Sequence, residues 1–188
     1  MKIVLGSKSP RRREILGMVT KDFEVRVSYA DESYGADTPL QDVPRLLAER
    51  KALAVEAAQD EVIIGCDTVV IYDGELMGKP RDKAEAIGML KRLSGTTHQV
   101  ISGICVRTRD RMHSDSVTTY VKFRDLTDGE IENYVNRENP VDKAGAYGIQ
   151  ESAGAFVEKI DGDFYNVVGL PLCRLCEILK NELGIELL

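Results

Sequence analysis

The sequence predicts a mixed α/β fold, a β-sheet of both parallel and antiparallel pairs flanked by helices. Three observations predict it. Short apolar runs alternate along the chain with segments of helical apolar spacing. Some runs are joined by tight-turn signals and others by helices, so hairpins and crossovers both occur. No repeat and no Gly/Ser/Pro-rich linker interrupts the 188 residues, a length that suits one domain spanning 1–188.

Lys2–Leu5 reads as a short buried strand running into a polar turn. There Ser9 is a candidate cap and Pro10 suits the first helical position. Phe23–Val27 is a second apolar stretch, followed by the acidic loop Asp31-Glu32-Ser33. Asp42 is placed to cap a helix from Val43 to about Ala58, with Val43, Leu46, Leu47, Leu53, Ala54 and Ala57 on its apolar face. Val62–Ile64 and Val69–Ile71 read as strand, broken by residues 65–68, and Asp73-Gly74 is a hairpin turn. Asp82 and Glu85 have capping-box spacing before a helix that Ser94-Gly95 ends. Val100–Val106 and Val117–Phe123 follow as strands. Thr127 and Glu130 repeat the capping-box spacing, and Asn139-Pro140 stops that helix. Phe156–Ile160 and Phe164–Val168 flank Asp161-Gly162-Asp163 as a hairpin, and Pro171 opens a last helix.

The net charge of −6 argues against nonspecific nucleic-acid binding, which needs a broad basic surface. No apolar run reaches the roughly 18 residues of a membrane span, and the start lacks a signal-peptide pattern, so a cytoplasmic protein is expected. Cys66, Cys105, Cys173 and Cys176 are then reduced thiols. Cys173-x-x-Cys176 has no second ligand pair at zinc spacing, and its place in a helical apolar pattern points to core packing.

Two places break local rules. Arg11, Arg12 and Arg13 put cations in a first helical turn, opposing the helix dipole by about 0.3–1 kcal/mol each. A bound anion reverses that sign, and amides, the Ser7 and Ser9 hydroxyls and guanidinium forks suit phosphate oxygens. The competing reading is a solvated basic turn paired with carboxylates such as Glu14. Asp67 interrupts an apolar stretch of the kind found in buried strands, where a carboxylate is costly unless paired, hydrogen-bonded or metal-bound. It is either a site carboxylate or a turn former bonded to Thr68. Glu32 lies in a loop, where an acidic residue carries little information alone. Lys51, at the edge of an apolar helix face, reads by default as a snorkelling lysine. Lys79 sits in Gly78-Lys79-Pro80, where glycine permits close ligand approach and proline fixes the turn.

Taken together, Ser7-Lys8-Ser9-Pro10-Arg11-Arg12, Asp67-Thr68-Val69-Val70, Gly78-Lys79-Pro80 and residues 142–150 (DKAGAYGIQ) resemble the characteristic blocks of the Maf family, in its order. Leu93-Ser94-Gly95 with His98-Gln99-Val100, and Asn166-Val167-Val168-Gly169-Leu170-Pro171, extend the resemblance over essentially the whole chain. It implies an elongated mixed sheet with two lobes around a cleft, similar to the inosine-triphosphatase architecture. It also implies a nucleoside triphosphate pyrophosphatase that cleaves between the α- and β-phosphates and needs a divalent cation, Mg²⁺ or Mn²⁺. By the same resemblance Asp67 is the proton acceptor. Ser7, Arg11, Arg12, Glu32, Lys51 and Lys79 fall on the family's polar cleft positions.

The chemistry of these residue types is consistent with that assignment. Water attack on phosphorus needs a base and cations that hold phosphate oxygens. Asp67 and Glu32 offer oxygen donors suited to Mg²⁺ or Mn²⁺. Ser7, Ser9, Arg11, Arg12, Lys51 and Lys79 offer phosphate contacts. Which carboxylate is base and which is ligand stays open. Arg12, Thr68 and Gln150 resemble the branch acting on dTTP and UTP, not the 7-methyl-GTP branch, which shows Trp, Gln and Glu in the corresponding places. A neutral Gln150 amide can donate to and accept from a pyrimidine edge, whereas a carboxylate suits a cationic methylated guanine. The rival readings are a 7-methyl-GTP or broad modified-nucleotide pyrophosphatase, and a non-catalytic nucleotide-sensing regulator of division. The expected partner is a nucleoside triphosphate, without nucleic acid or membrane, and the sequence leaves room for a homodimer.

Overall fold

A computed structural model describes all residues, Met1–Leu188. Seven strands form one mixed sheet: β1 (Lys2–Leu5), β2 (Phe23–Val25), β3 (Glu61–Tyr72), β4 (Glu75–Met77), β5 (Thr97–Arg107), β6 (Met112–Phe123) and β7 (Val157–Asp161). Their order is β2-β1-β3-β5-β6-β7, with β4 also paired to β3. β1 runs parallel to β2 and β3, and the β3–β4 and β6–β7 pairs are antiparallel. Six helices accompany the sheet: α1 (Pro10–Leu16), α2 (Val43–Leu53), α3 (Lys83–Leu93), α4 (Asp128–Glu138), α5 (Phe164–Val168) and α6 (Leu172–Leu183). The mixed α/β class read from the sequence is the one observed.

The chain divides into two compact units. The first comprises Met1–Thr68, Ser102–Val117 and Tyr165–Leu188. Its sheet buries both faces, following the two-residue alternation of strands. Ile3, Leu5, Val62, Ile64, Cys66, Ile104 and Val106 pack with Ile15 and Leu16 of α1 and Leu175, Ile178 and Leu179 of α6. Val4, Ile63 and Cys105 pack with Ala48 and Ala52 of α2. This two-sided burial explains why β1 and the start of β3 read as unbroken apolar runs.

The second unit comprises Val69–Ile101 and Thr118–Phe164. Helices α3 and α4 lie against one another there, burying Ala86, Leu90 and Leu93 of one and Ile131, Tyr134 and Val135 of the other. Phe123, Tyr147 and His98 stack edge to face, and Phe156 joins both Phe123 and Tyr134 in the same cluster. The caps at Asp82 and Thr127 form, the latter as a full capping box. Asp73-Gly74 makes the expected hairpin with both residues at positive φ.

Five sequence expectations are corrected. Residues 65–68 do not break the strand, because β3 is continuous from Glu61 to Tyr72. Helix α2 ends at Leu53 and not near Ala58. Leu53 is exposed, whereas Val55 and Ala57 beyond it join the cluster of Val4 and Ile63 from outside the helix, so the apolar residues past Ala52 are used without continued winding. Asp42 makes no capping bond and instead lies 3.6 Å from Arg45. Phe164–Val168 is a short helix, not the second arm of a hairpin. Gly162 turns the chain at φ +130°, and the Thr119 hydroxyl then takes both the N–H and the C=O of Asp163. A five-residue run with four apolar members carries no periodicity able to separate strand from helix. Nor is Cys173 packed in the core, since α6 turns it outward to solvent while Cys176 is half-buried.

Candidate functional site

The site in the first unit is built on close approach of α2 to the sheet. A Cβ at Gly65 of β3 would lie 2.2 Å from the Ala48 carbonyl oxygen, and one at Gly103 of β5 would lie 2.1 Å from that of Pro44. Only glycine admits backbone this near. The approach brings Lys51 of α2 to Asp67 of β3, two residues beyond Gly65. Lys51 Nζ donates to Asp67 Oδ1 at 2.6 Å and pairs with Glu32 Oε1 at 2.7 Å. Lys51 therefore does not snorkel. Its ammonium is the shared cation of two carboxylates, with the Lys51 and Asp67 side chains only 14% and 12% exposed.

Glu32 is the open member, its side chain 63% exposed. Its loop is held by the residue before Lys51. Arg50 donates to the backbone carbonyls of Asp31 and Ser33, on either side of Glu32. Consecutive residues of α2 thus fix the loop backbone and the loop carboxylate. Asp67 sits in a stretch of β3 that takes no partner from β1, whose ladder ends at Leu5↔Ile64, or from β4, whose ladder starts at Val70↔Met77.

Thr68 follows Asp67 and, by strand alternation, serves the opposite face, the one that holds Cys66. On that face Arg12 crosses from α1. Its Nε donates to the Gly169 carbonyl at 2.8 Å, NH1 to Ser7 Oγ at 3.3 Å and NH2 to Thr68 Oγ1 at 3.3 Å. Ser7 is buried and also accepts from the Ser9 N–H at 3.2 Å, while Ser9 caps α1 by accepting from the Arg12 N–H. The sequence's alternatives for the basic turn therefore resolve unevenly. Arg12 is turned inward onto a built polar network, Arg11 is half-buried and Arg13 is exposed. Gly169, at φ +126°, aims its carbonyl at Arg12, and the buried Cys66 thiol donates to the same oxygen at 3.2 Å. Burial pushes the Cys66 thiol up, away from the thiolate.

Lys79 and Gln150 belong to the second unit, and both are exposed. Gln150 ends a segment held from within its own unit. Lys143 is buried and pairs with Asp142 at 3.0 Å and Glu151 at 3.4 Å, and Tyr147 shares a 2.7 Å hydrogen bond with His98. Gly145 and Ala146 both adopt positive φ, a tight conformation unusual for alanine.

Sequence reasoning missed three members of this arrangement. Ser102 of β5 and Asn166 of α5 are wholly buried polar residues linked to Thr68, and Arg50 fixes the Glu32 loop. Ser102 carried a signal of the same kind as Asp67, a polar residue inside an apolar strand. Arg50 carried none, since a helical arginine is ordinarily solvated.

The donor set of Glu32 and Asp67 fits a hard divalent cation, because both are carboxylates and both already converge on one positive charge. No third acidic, histidine or cysteine side chain joins them. The remaining ligands of such an ion would be water and substrate oxygens, the usual habit of Mg²⁺.

Comparison with known proteins agrees with the motif blocks. The profile of the Maf-like protein family matches residues 2–182. A dTTP/UTP pyrophosphatase of Clostridium novyi (strain NT) is 43% identical, covering 100% of both chains. One from Thermosipho africanus (strain TCF52B) is 46% identical over 95% of this chain and 92% of its own, and one from Bacillus velezensis is 44% identical over 95% of each. A solved structure, the Staphylococcus aureus Ham1 protein, aligns with a TM-score of 0.46 at 15% identity over 66% of this chain and 73% of its own, a likeness too slight to assign anything. The family profile spans nearly the whole sequence and the relatives match end to end: the chain belongs to the Maf-like protein family.

Proposed function

We propose that this chain, acting as one domain over 1–188, hydrolyses dTTP and UTP to the nucleoside monophosphate and pyrophosphate. The convergence of Glu32, Lys51 and Asp67 where β3 lies between its β1 and β4 ladders carries the reading, because it supplies a base, a cation and hard oxygen donors at one point. Relatives of 43–46% identity that bear the name dTTP/UTP pyrophosphatase support the substrate class. No helix is long and apolar enough to cross a membrane, which is consistent with a cytoplasmic enzyme acting on free nucleotides.

In this reading Asp67 takes the proton of the attacking water as the water oxygen bonds to the α-phosphorus. The bond from that phosphorus to the bridging oxygen breaks, and the electron pair leaves with pyrophosphate. Lys51 orients Asp67 through the 2.6 Å bond and keeps a third ammonium hydrogen for a phosphate oxygen. Ser7, Ser9, Arg11, Arg12 and Lys79 supply further phosphate contacts. Arg12 retains two N–H donors after its three internal bonds. A Mg²⁺ or Mn²⁺ ion held by Glu32 and Asp67 would neutralise phosphate charge. Arg12, Thr68 and Gln150 select the base. The test is Asp67→Asn, which keeps the shape and removes the base. Its pyrophosphate release should fall by about 10²–10⁴-fold while nucleotide binding persists. Full activity in that variant would remove Asp67 from the role.

A further inference from the structure

Behind Thr68 lies a run of hydrogen bonds whose direction is fixed. Ser102 Oγ is 3.0 Å from the Asn166 carbonyl oxygen, which can only accept, so the single Ser102 hydroxyl proton is committed there. The Ser102 amide in turn donates to Asn166 Oδ1 at 3.1 Å, so α5 grips this residue of β5 twice. Ser102 Oγ also lies 2.8 Å from Thr68 Oγ1. With its own proton spent, Ser102 must accept in that bond and Thr68 must donate. The other acceptor in reach of the Thr68 proton is the Gly169 carbonyl at 3.4 Å, which also belongs to this inner network. Either way the Thr68 hydroxyl proton points inward. The Arg12 NH2 group fills one of its lone pairs, and the other remains on a half-buried oxygen.

From this geometry we infer that Ser102 is a positioning residue for substrate choice: it locks Thr68 as a hydrogen-bond acceptor, so this position reads an N–H on the base and cannot serve a bare ring nitrogen. The inference rests on the proposed role of Thr68 and Arg12 in base selection. Beside the locked oxygen, Arg12 offers N–H donors. An adjacent donor and acceptor match the neighbouring C=O and N3–H of uracil and thymine. Cytosine presents an unprotonated N3 there, which would set two lone pairs against each other. Guanine carries a C=O beside an N–H as well, so the lock separates UTP from CTP and leaves rejection of purines to the size of the site. Ser102 and Asn166 touch no substrate in this account and act through Thr68.

Ser102→Ala removes the 2.8 Å acceptor and leaves the Thr68 proton only the Gly169 carbonyl at 3.4 Å, too long for a firm O–H···O bond, so the proton becomes free to be donated outward. The ratio of kcat/KM for UTP over CTP should fall about tenfold, the worth of one hydrogen bond, mainly through KM. Thr68→Val should lower the same ratio, Thr68→Ser should keep it, and Ser102→Ala on the Thr68→Val background should lower it no further. An unchanged ratio in Ser102→Ala, or additive losses in the double variant, would overturn the inference. Ser102→Cys, which keeps the volume, serves if the alanine variant unfolds, and should give a ratio between the two. Neutron structures of wild type and variant decide the lock without any turnover: the Thr68 hydroxyl deuterium should point at Ser102 Oγ in wild type and away from that position in Ser102→Ala, and an outward-pointing deuterium in wild type would refute it. Absence of UTP hydrolysis in the wild type would instead reject the proposed function, leaving the lock to be judged by those structures.

Discussion

Replacing Lys51 by alanine removes the one cation shared by Glu32 and Asp67, and the structure allows its cost to be worked. The Lys51 and Asp67 side chains are 14% and 12% exposed, so their pair is largely shielded from water. Deleting one partner of a buried pair costs about 3–5 kcal/mol, because the other charge is left uncompensated. Glu32 is 63% exposed, and its pairing is worth no more than about 1 kcal/mol. A residual path to solvent at Asp67 argues for the lower end, about 3 kcal/mol. For a chain of this length that is a fall in Tm of roughly 6–12 °C. Thermal unfolding followed by circular dichroism at neutral pH measures it. Asp67→Asn in the Lys51→Ala background should recover part of the loss, since the shielded carboxylate is then neutral and only the exposed Glu32 has lost the ammonium. Adding Mg²⁺ or Mn²⁺ should raise the Tm of Lys51→Ala more than that of wild type, as a divalent ion replaces the missing ammonium. A variant as stable as wild type, indifferent to both changes, would refute the claim that Lys51 binds these carboxylates together.

Two further perturbations test the scaffold. Burial lowers His98 to about 4, so the folded state keeps it neutral where the unfolded chain, near 6.5, takes up a proton. Its contribution to stability is complete above about pH 6.5 and is lost as pH falls towards 4, by roughly 3 kcal/mol. The difference in urea-unfolding free energy between wild type and His98→Phe should change by that amount across this window, and a pH-independent difference would contradict it. Gly65→Ala forces α2 away from β3, since the new Cβ would meet the Ala48 carbonyl at 2.2 Å. The loss should exceed the ~1–3 kcal/mol of ordinary overpacking and should take the Lys51–Asp67 contact with it; calorimetry showing a near-neutral substitution would contradict the packing described.

Much of this was readable from residue order, and the failures have physical causes. Strands β1, β5 and β6, the caps at Ser9, Asp82 and Thr127, and the Asp73-Gly74 turn follow local rules that tertiary context did not override. Asp67 was visible because it breaks an apolar strand. Its partner was not: Lys51 looked like any lysine at a helix edge, and only the approach at Gly65 and Gly103 brings it to a carboxylate. Gly65 read as part of a break in β3, yet it marks where a helix lies against the strand. Phe164–Val168 misled because five residues, four of them apolar, suit either conformation, and the deciding contact, Thr119 with Asp163, spans 44 residues. Asn166 was hidden for the same reason, and Ser102, though visible as a polar residue inside an apolar strand, has no local partner that reveals its purpose.

The most direct test of the central claim is the identity of the products. Wild-type protein incubated with dTTP or UTP and Mg²⁺ or Mn²⁺ should release pyrophosphate and the nucleoside monophosphate in equal amounts. Orthophosphate with a nucleoside diphosphate would place the cleavage at the other anhydride bond and contradict the account.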